Sequence, residues 1–279
     1  MSSKHLTRAG VALAVLGALA GGTTYGARGL LLRQAAQARR AIGKPLGEEA
    51  PAGDRHVKKK LGRPVDLLVL GDSIAAGLGA ERPKHTLGGR LARGIARDTG
   101  RSVRLRTAAV VGSESSMLAG QVAALPPAYR PDVAVVVVGG NDVTHRVPVA
   151  ESVRHLGGAI DALRARGAEV VVGTCPDLGA LRPVPQPLRS LGSRASRQLA
   201  DAQRAVALER GARVVSLAHV VGPFFYTFPD EMFSLDRFHP SAHGYKRTAK
   251  AMLPSVLAAL GVVGEVPFGH HAPHVGGSG

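Results

Sequence analysis

The 279-residue chain is 45% hydrophobic, with one cysteine and no tryptophan, enough apolar content for one domain of about 200 residues plus tails. The single Cys175 excludes an intrachain disulfide framework and a cysteine zinc site; lying just after an apolar run, it reads as a buried, inert thiol. The net charge of +16 is uneven: residues 1–63 hold 12 Lys/Arg against 3 Asp/Glu, the remainder 24 against 17.

Residues Ala9 to Ala27 carry no charge and follow Lys4 and Arg8. They read either as a signal peptide, with Ala18-Leu19-Ala20 as a cleavage site, or as a membrane anchor (residues 1–27 together). Arg28, Arg33, Arg39, Arg40 and Lys44 follow and oppose translocation by the positive-inside rule; the expectation is nevertheless export to the cell envelope, secreted or membrane-anchored. Residues 28–63 read as a basic helical and linker segment. Its densest charge, Arg55 to Arg63, has no interleaved aromatics or nucleic-acid motif, so nucleic acid is not an expected partner. An anionic membrane surface suits this segment better, with a solvated linker as the plain alternative.

From Pro64 the pattern alternates. Strand-like runs at Val65–Leu70, Val103–Thr107, Val133–Val138, Glu169–Gly173 and Arg213–Ser216 are separated by helical stretches near 85–99, 113–125, 148–166 and 190–210, and a last helix covers about 241–260. Continuous Val/Leu runs are the mark of strands buried on both faces. The β-α-β-α order predicts a three-layer α/β/α domain over 64–261, with a mainly parallel five-stranded sheet and right-handed crossovers. Residues 262–279 read as a disordered tail, with His270, His271 and His274 as part of it rather than a metal site.

Four features fall at strand ends or before the last helix: Gly71-Asp72-Ser73, Val110-Val111-Gly112-Ser113, Gly139-Gly140-Asn141-Asp142 and Asp236-Arg237-Phe238-His239-Pro240. Loops after parallel strands emerge on one edge, so these converge on one cleft. A serine hydroxyl needs an adjacent base to become a nucleophile. His239 supplies an imidazole that accepts and returns protons near neutrality, and Asp236 can orient it. The Ser73 and Gly112 amides and the Asn141 side chain suit an oxyanion hole. Asp72 and Asp142 read as acceptors for nearby backbone, and His145 and His243 as loop-shaping residues.

In this order the blocks resemble the SGNH hydrolases, the GDSL esterase/lipase family, over about residues 65–260. Gly71-Asp72-Ser73-Ile74 resembles the first block, whose serine is the nucleophile. Gly112 and Asn141 correspond to oxyanion donors, and Asp236 and His239 to the acid and base of the last block. Thr107 departs from the asparagine often found five residues before the second-block glycine. The resemblance implies the flavodoxin-like SGNH fold, a catalytic set of Ser73, Asp236 and His239, and an oxyanion hole of Ser73, Gly112 and Asn141, with no metal and no cofactor.

The expectation is a serine esterase acting through an acyl-enzyme on a small-molecule, lipid or glycan ester, short acyl chains favoured. The Phe/Tyr-rich run Gly222 to Phe228 is either an acyl-pocket wall or core packing. Rival readings are an O-deacetylase or acyltransferase of envelope polysaccharide and, from another class, an inactive membrane-tethered binding module. Oligomeric state is not readable from the chain.

Overall fold

The computed structural model describes residues 26–273; the apolar stretch read as a signal or anchor lies almost wholly outside them. Helix α1 (26–42) comes first. A seven-stranded sheet follows, built from β1 (Arg55–Val57), β2 (Gly62–Gly71), β3 (Arg101–Thr107), β4 (Val133–Val137), β5 (Glu169–Gly173), β6 (Arg213–Val215) and β7 (His270–His271), in the order β1-β3-β2-β4-β5-β6-β7. The five central strands are parallel, and β1 and β7 are antiparallel edges. The central order is that of a flavodoxin-like doubly wound sheet, in which the chain reverses direction at β2.

The two faces follow from strand alternation. Leu67, Val69, Val135 and Val171 pack on one face under α3 (Leu87–Thr99) and α8 (Ala242–Ala259), which contribute Leu91, Ile95, Tyr245 and Met252. Leu68, Leu70, Val136 and Val172 pack on the other face. There they meet Leu118 and Val122 of α4 (Leu118–Ala123), Leu156 and Ile160 of α6 (Val149–Ala165), and Ala207 of α7 (Leu188–Glu209). Every residue of β4 is buried, which is why its run carries no polar alternation. Thr86 caps α3 by accepting from the Gly89 amide (3.1 Å), and Ser241 caps α8 through the His243 and Gly244 amides.

Both flanks of the expected domain need correction. The 28–63 segment is not a free linker: Asp54 accepts a hydrogen bond from the Thr107 amide (2.7 Å), and Arg55–Val57 pairs with Val103–Leu105. The tail is not disordered from residue 262: His270 and His271 pair with Val215 and Val214, and Ser255 Oγ lies 2.7 Å from His270 Nδ1. The physical reason is shared. Each segment satisfies the backbone of an outer parallel strand that would otherwise present an open edge. Among the described residues no helix is long and apolar enough to cross a membrane.

Candidate active site

Local backbone geometry delivers Ser73 to the carboxyl edge of the sheet. Gly71 ends β2 with φ +129°, and a Cβ there would sit 1.8 Å from the Val137 carbonyl oxygen. Only glycine permits that approach. The Asp72 amide donates to the same carbonyl (3.0 Å), and the Asp72 carboxylate accepts from the Ile74 amide (2.9 Å), capping the short helix α2 (Ser73–Ala76). Ser73 is thus the first residue of a helix, where the N–H lies outside the intrahelical ladder.

The Ser234–His239 loop brings the opposing groups. Asp236 Oδ1 accepts from Ser234 Oγ, the Phe238 amide and the His239 amide, each at 2.9 Å. Its Oδ2 lies 2.5 Å from His239 Nδ1, and His239 Nε2 lies 2.9 Å from Ser73 Oγ. A proton on Nδ1, facing the carboxylate, leaves Nε2 as the acceptor for the serine hydroxyl. Burial raises the Asp236 pKa, but the hydrogen bonds from His239 and Phe238 outweigh it and hold the carboxyl below its ordinary value. The loop is fixed from both sides. The Ser234 amide donates to the His239 carbonyl (2.8 Å), and beyond them the Ser241 amide donates to the Met232 carbonyl (2.8 Å). Gly79, at φ +98°, leaves no room for a side chain: a Cβ would meet Pro240 O at 2.5 Å and His239 Cβ at 3.2 Å.

Asn141 belongs to α5 (Gly140–His145), and its Nδ2 donates to the Ser113 carbonyl (2.9 Å). One N–H of that amide is thereby oriented while the other stays available. Gly112 sits between Ser113 and Val110, whose amide donates to the Gly71 carbonyl (3.2 Å). Its φ of +83° selects glycine, while a Cβ there would meet nothing within 4 Å. The Gly112 N–H has no hydrogen-bond partner among the described residues.

The neighbouring acids brace the site. Asp72 is fully buried, which pushes its pKa up to about 6. Asp142 accepts from the Ser115 amide (3.1 Å) and Ser152 Oγ (2.7 Å). His145 reaches Glu114 at the surface (2.7 Å), away from Ser73. Cys175 is buried and its pKa is raised well above the ordinary thiol value by that burial, so it stays a thiol.

Two supports escaped sequence reading. Gln121 accepts from the Gly71 amide (2.9 Å) and donates to the Gly71 carbonyl (2.8 Å) and Ser113 Oγ (3.1 Å). Gln203 does the same for the ends of β4 and β5, accepting from the Cys175 amide (2.7 Å) and donating to the Val138 carbonyl (2.9 Å). Their signal was a polar residue within a helical apolar stripe: Gln121 with Leu118, Val122 and Leu125, and Gln203 with Leu199 and Ala207.

Ser73 and Asn141 open onto an apolar cleft of about 800 Å³, its open mouth included, walled by Leu178, Leu181, Leu217, Val221, Phe225 and Phe238. The aromatic run is therefore divided. Phe225 faces the cleft, Phe224 lies under the Arg247 guanidinium (4.5 Å to the ring centre), and Phe228 is half exposed.

Known proteins share the family and the fold. Residues 69–247 match the GDSL-like Lipase/Acylhydrolase family. A GDSL-like esterase of Mycobacterium tuberculosis is 40% identical over 95% of this chain and 88% of its own. A lipase/acylhydrolase from Enterococcus faecalis superposes with a TM-score of 0.57 at 22% identity, covering 70% of this chain and 96% of its own. The psychrotrophic esterase EstA from Pseudoalteromonas sp. gives 0.56 at 18%, covering 70% and 98%. The fold is that of SGNH hydrolases, and the chain belongs to the GDSL-like lipase/acylhydrolase family of ester-bond hydrolases.

Proposed function

We propose that the chain hydrolyses carboxylic esters through an acyl-enzyme on Ser73, with short acyl chains favoured. The observation that carries this reading is the continuous hydrogen-bonded chain from Asp236 through His239 to Ser73 at the mouth of an apolar cleft. His239 Nε2 takes the Ser73 proton as Oγ attacks the ester carbonyl, and Asp236 holds the ring in the required tautomer and stabilises the imidazolium. The Ser73 amide, the Gly112 amide and Asn141 Nδ2 receive the developing oxyanion, each such donor contributing about 3–4 kcal/mol. His239 then protonates the leaving alcohol, and the same base activates the water that releases the acid.

The apolar lining beside Ser73, with Leu178, Leu181 and Phe225 in its walls, supports an acyl pocket there. The test is a series of p-nitrophenyl esters from acetate to palmitate, run with wild type and Ser73→Ala. This reading expects acetate or butyrate to be the best substrate and Ser73→Ala to be inactive. A preference for palmitate overturns the short-chain part, and equal activity in the two proteins overturns the whole. We also infer export to the envelope from uncharged residues 9–27; recovery of the native protein only in the cytosolic fraction would refute it.

A further inference from the structure

One wall of the cleft is the connection from β5 to α7, which contributes Pro176, Leu178 and Leu181. Its first half is rooted in the domain. The Cys175 amide donates to Gln203, the Leu178 amide to Ser196 Oγ (3.1 Å), and Asp177 caps the turn at Leu178–Ala180 through the Gly179 amide (2.8 Å). Its second half runs out from the wall: the Val184 amide donates back to the Leu181 carbonyl (3.0 Å), and Pro185-Gln186-Pro187 leads into α7. Among the described residues, the only hydrogen bonds reaching 183–188 from a distant part of the chain come from Gln34 of α1. Gln34 Nε2 donates to the Gln186 carbonyl, and Gln34 Oε1 accepts from the Leu188 amide (3.1 Å).

Gln34 is 8% exposed. Ala38 is buried too, and Leu31, Ala35 and Ile42 are half-buried, at helical spacing, whereas Leu30, Leu32 and Gln37 face outward. A glutamine on the covered stripe of a helix is a poor choice for generic packing. Both ends of its amide pair with backbone at the point where the wall meets α7.

We propose that α1 is a clasp on the acyl side of the cleft and that Gln34 is a positioning residue for acyl-chain selectivity. Its amide holds the 183–188 segment, which holds Leu181 against the cleft. This rests on ester hydrolysis at Ser73. Releasing the clasp lets Leu181, at the outer end of the wall, retreat, while Leu178 stays on its own bonds to Ser196 and the Asp177 turn. Longer acyl chains then gain relative to acetate, while the Ser73–His239–Asp236 geometry, anchored elsewhere, is unchanged.

The test compares full-length wild type with Gln34→Met, which removes both hydrogen bonds at similar volume. Gln34→Glu serves as a second variant that keeps the acceptor for the Leu188 amide but sets a carboxylate oxygen against the Gln186 carbonyl. In Gln34→Met the ratio of octanoate to acetate kcat/KM should rise about fivefold, the scale of one lost buried hydrogen bond. The change should lie in the octanoate KM, with acetate kcat within about twofold of wild type, and Gln34→Glu should raise the ratio as well, since the Gln186 carbonyl is repelled. Hydrogen exchange at the Leu188 amide, which loses its acceptor only in Gln34→Met, should quicken in that variant. An unchanged or lowered ratio in a folded variant overturns the clasp. If Gln34→Met fails to fold, Gln34→Glu decides by the same ratio. Activity retained in Ser73→Ala would instead sink the underlying esterase reading, so the two failures are distinguishable.

Discussion

Gln121 offers the sharpest test of how the nucleophile is held. Its side chain satisfies the N–H and C=O of Gly71, two residues before Ser73, and Ser113 Oγ on the neighbouring loop. Replacing it with Leu keeps the bulk on the buried face of α4 but removes all three bonds. The Gly71 carbonyl still accepts from the Val110 amide; the Gly71 amide is left with no partner. An orphaned buried donor costs about 1–3 kcal/mol, and the other lost bonds about 1 kcal/mol together, so the loss is about 3 kcal/mol. For a domain of this size that lowers Tm by about 6–12 °C. Release of Gly71 also frees Ser73 to shift, and a misplacement of about 1 Å costs on the order of 100-fold in rate. Differential scanning calorimetry and p-nitrophenyl acetate hydrolysis on one preparation read both effects. A Gln121→Leu protein within about 2 °C of wild type and fully active would refute the reasoning.

Three further outcomes follow from the same geometry. Asp236→Asn should lower kcat by about 10⁴-fold with little change in KM, because the imidazole loses its tautomer partner; steady-state kinetics would show it. Gly79→Ala forces a Cβ against Pro240 O and His239 Cβ, so kcat should fall at least about tenfold, and Gly79→Ala at wild-type activity would contradict the packing of that turn. Asp72 has a folded pKa of about 6 against 3.8 for the free group, so the native state binds the extra proton and stability falls as pH rises through that window. The loss reaches about 3 kcal/mol above pH 6. Asp72→Asn keeps the acceptor for the Ile74 amide, and urea unfolding from pH 4 to 8 should show that slope flattened; an unaltered slope would remove Asp72 as its cause.

The parallel core was legible because burial on both faces turns β2 and β4 into nearly unbroken apolar runs, Val65–Leu70 and Val133–Val138. The Ser73, Asn141 and His239 blocks were legible because each interrupts regular structure with residues that have little reason to sit together otherwise. The edges were not. Arg55-His56-Val57 and His270-His271 are short and polar, and they become strands only because β3 and β6 need partners. Residues 28–45 showed a helix by composition, but nothing in Gln34 itself announced a partner 152 positions away. Gln121 and Gln203 were readable only as oddities on apolar stripes, since their acceptors are backbone groups of distant strands.

The central claim is that Ser73, activated by His239, is the nucleophile. A fluorophosphonate probe applied to wild type, Ser73→Ala and His239→Ala tests it directly, because covalent capture requires an activated serine and no knowledge of the natural ester. The account predicts stoichiometric labelling of wild type at the Ser73 peptide, none in Ser73→Ala and severely slowed labelling in His239→Ala. Labelling of Ser73→Ala equal to wild type, or a folded wild type that the probe leaves untouched, would contradict it.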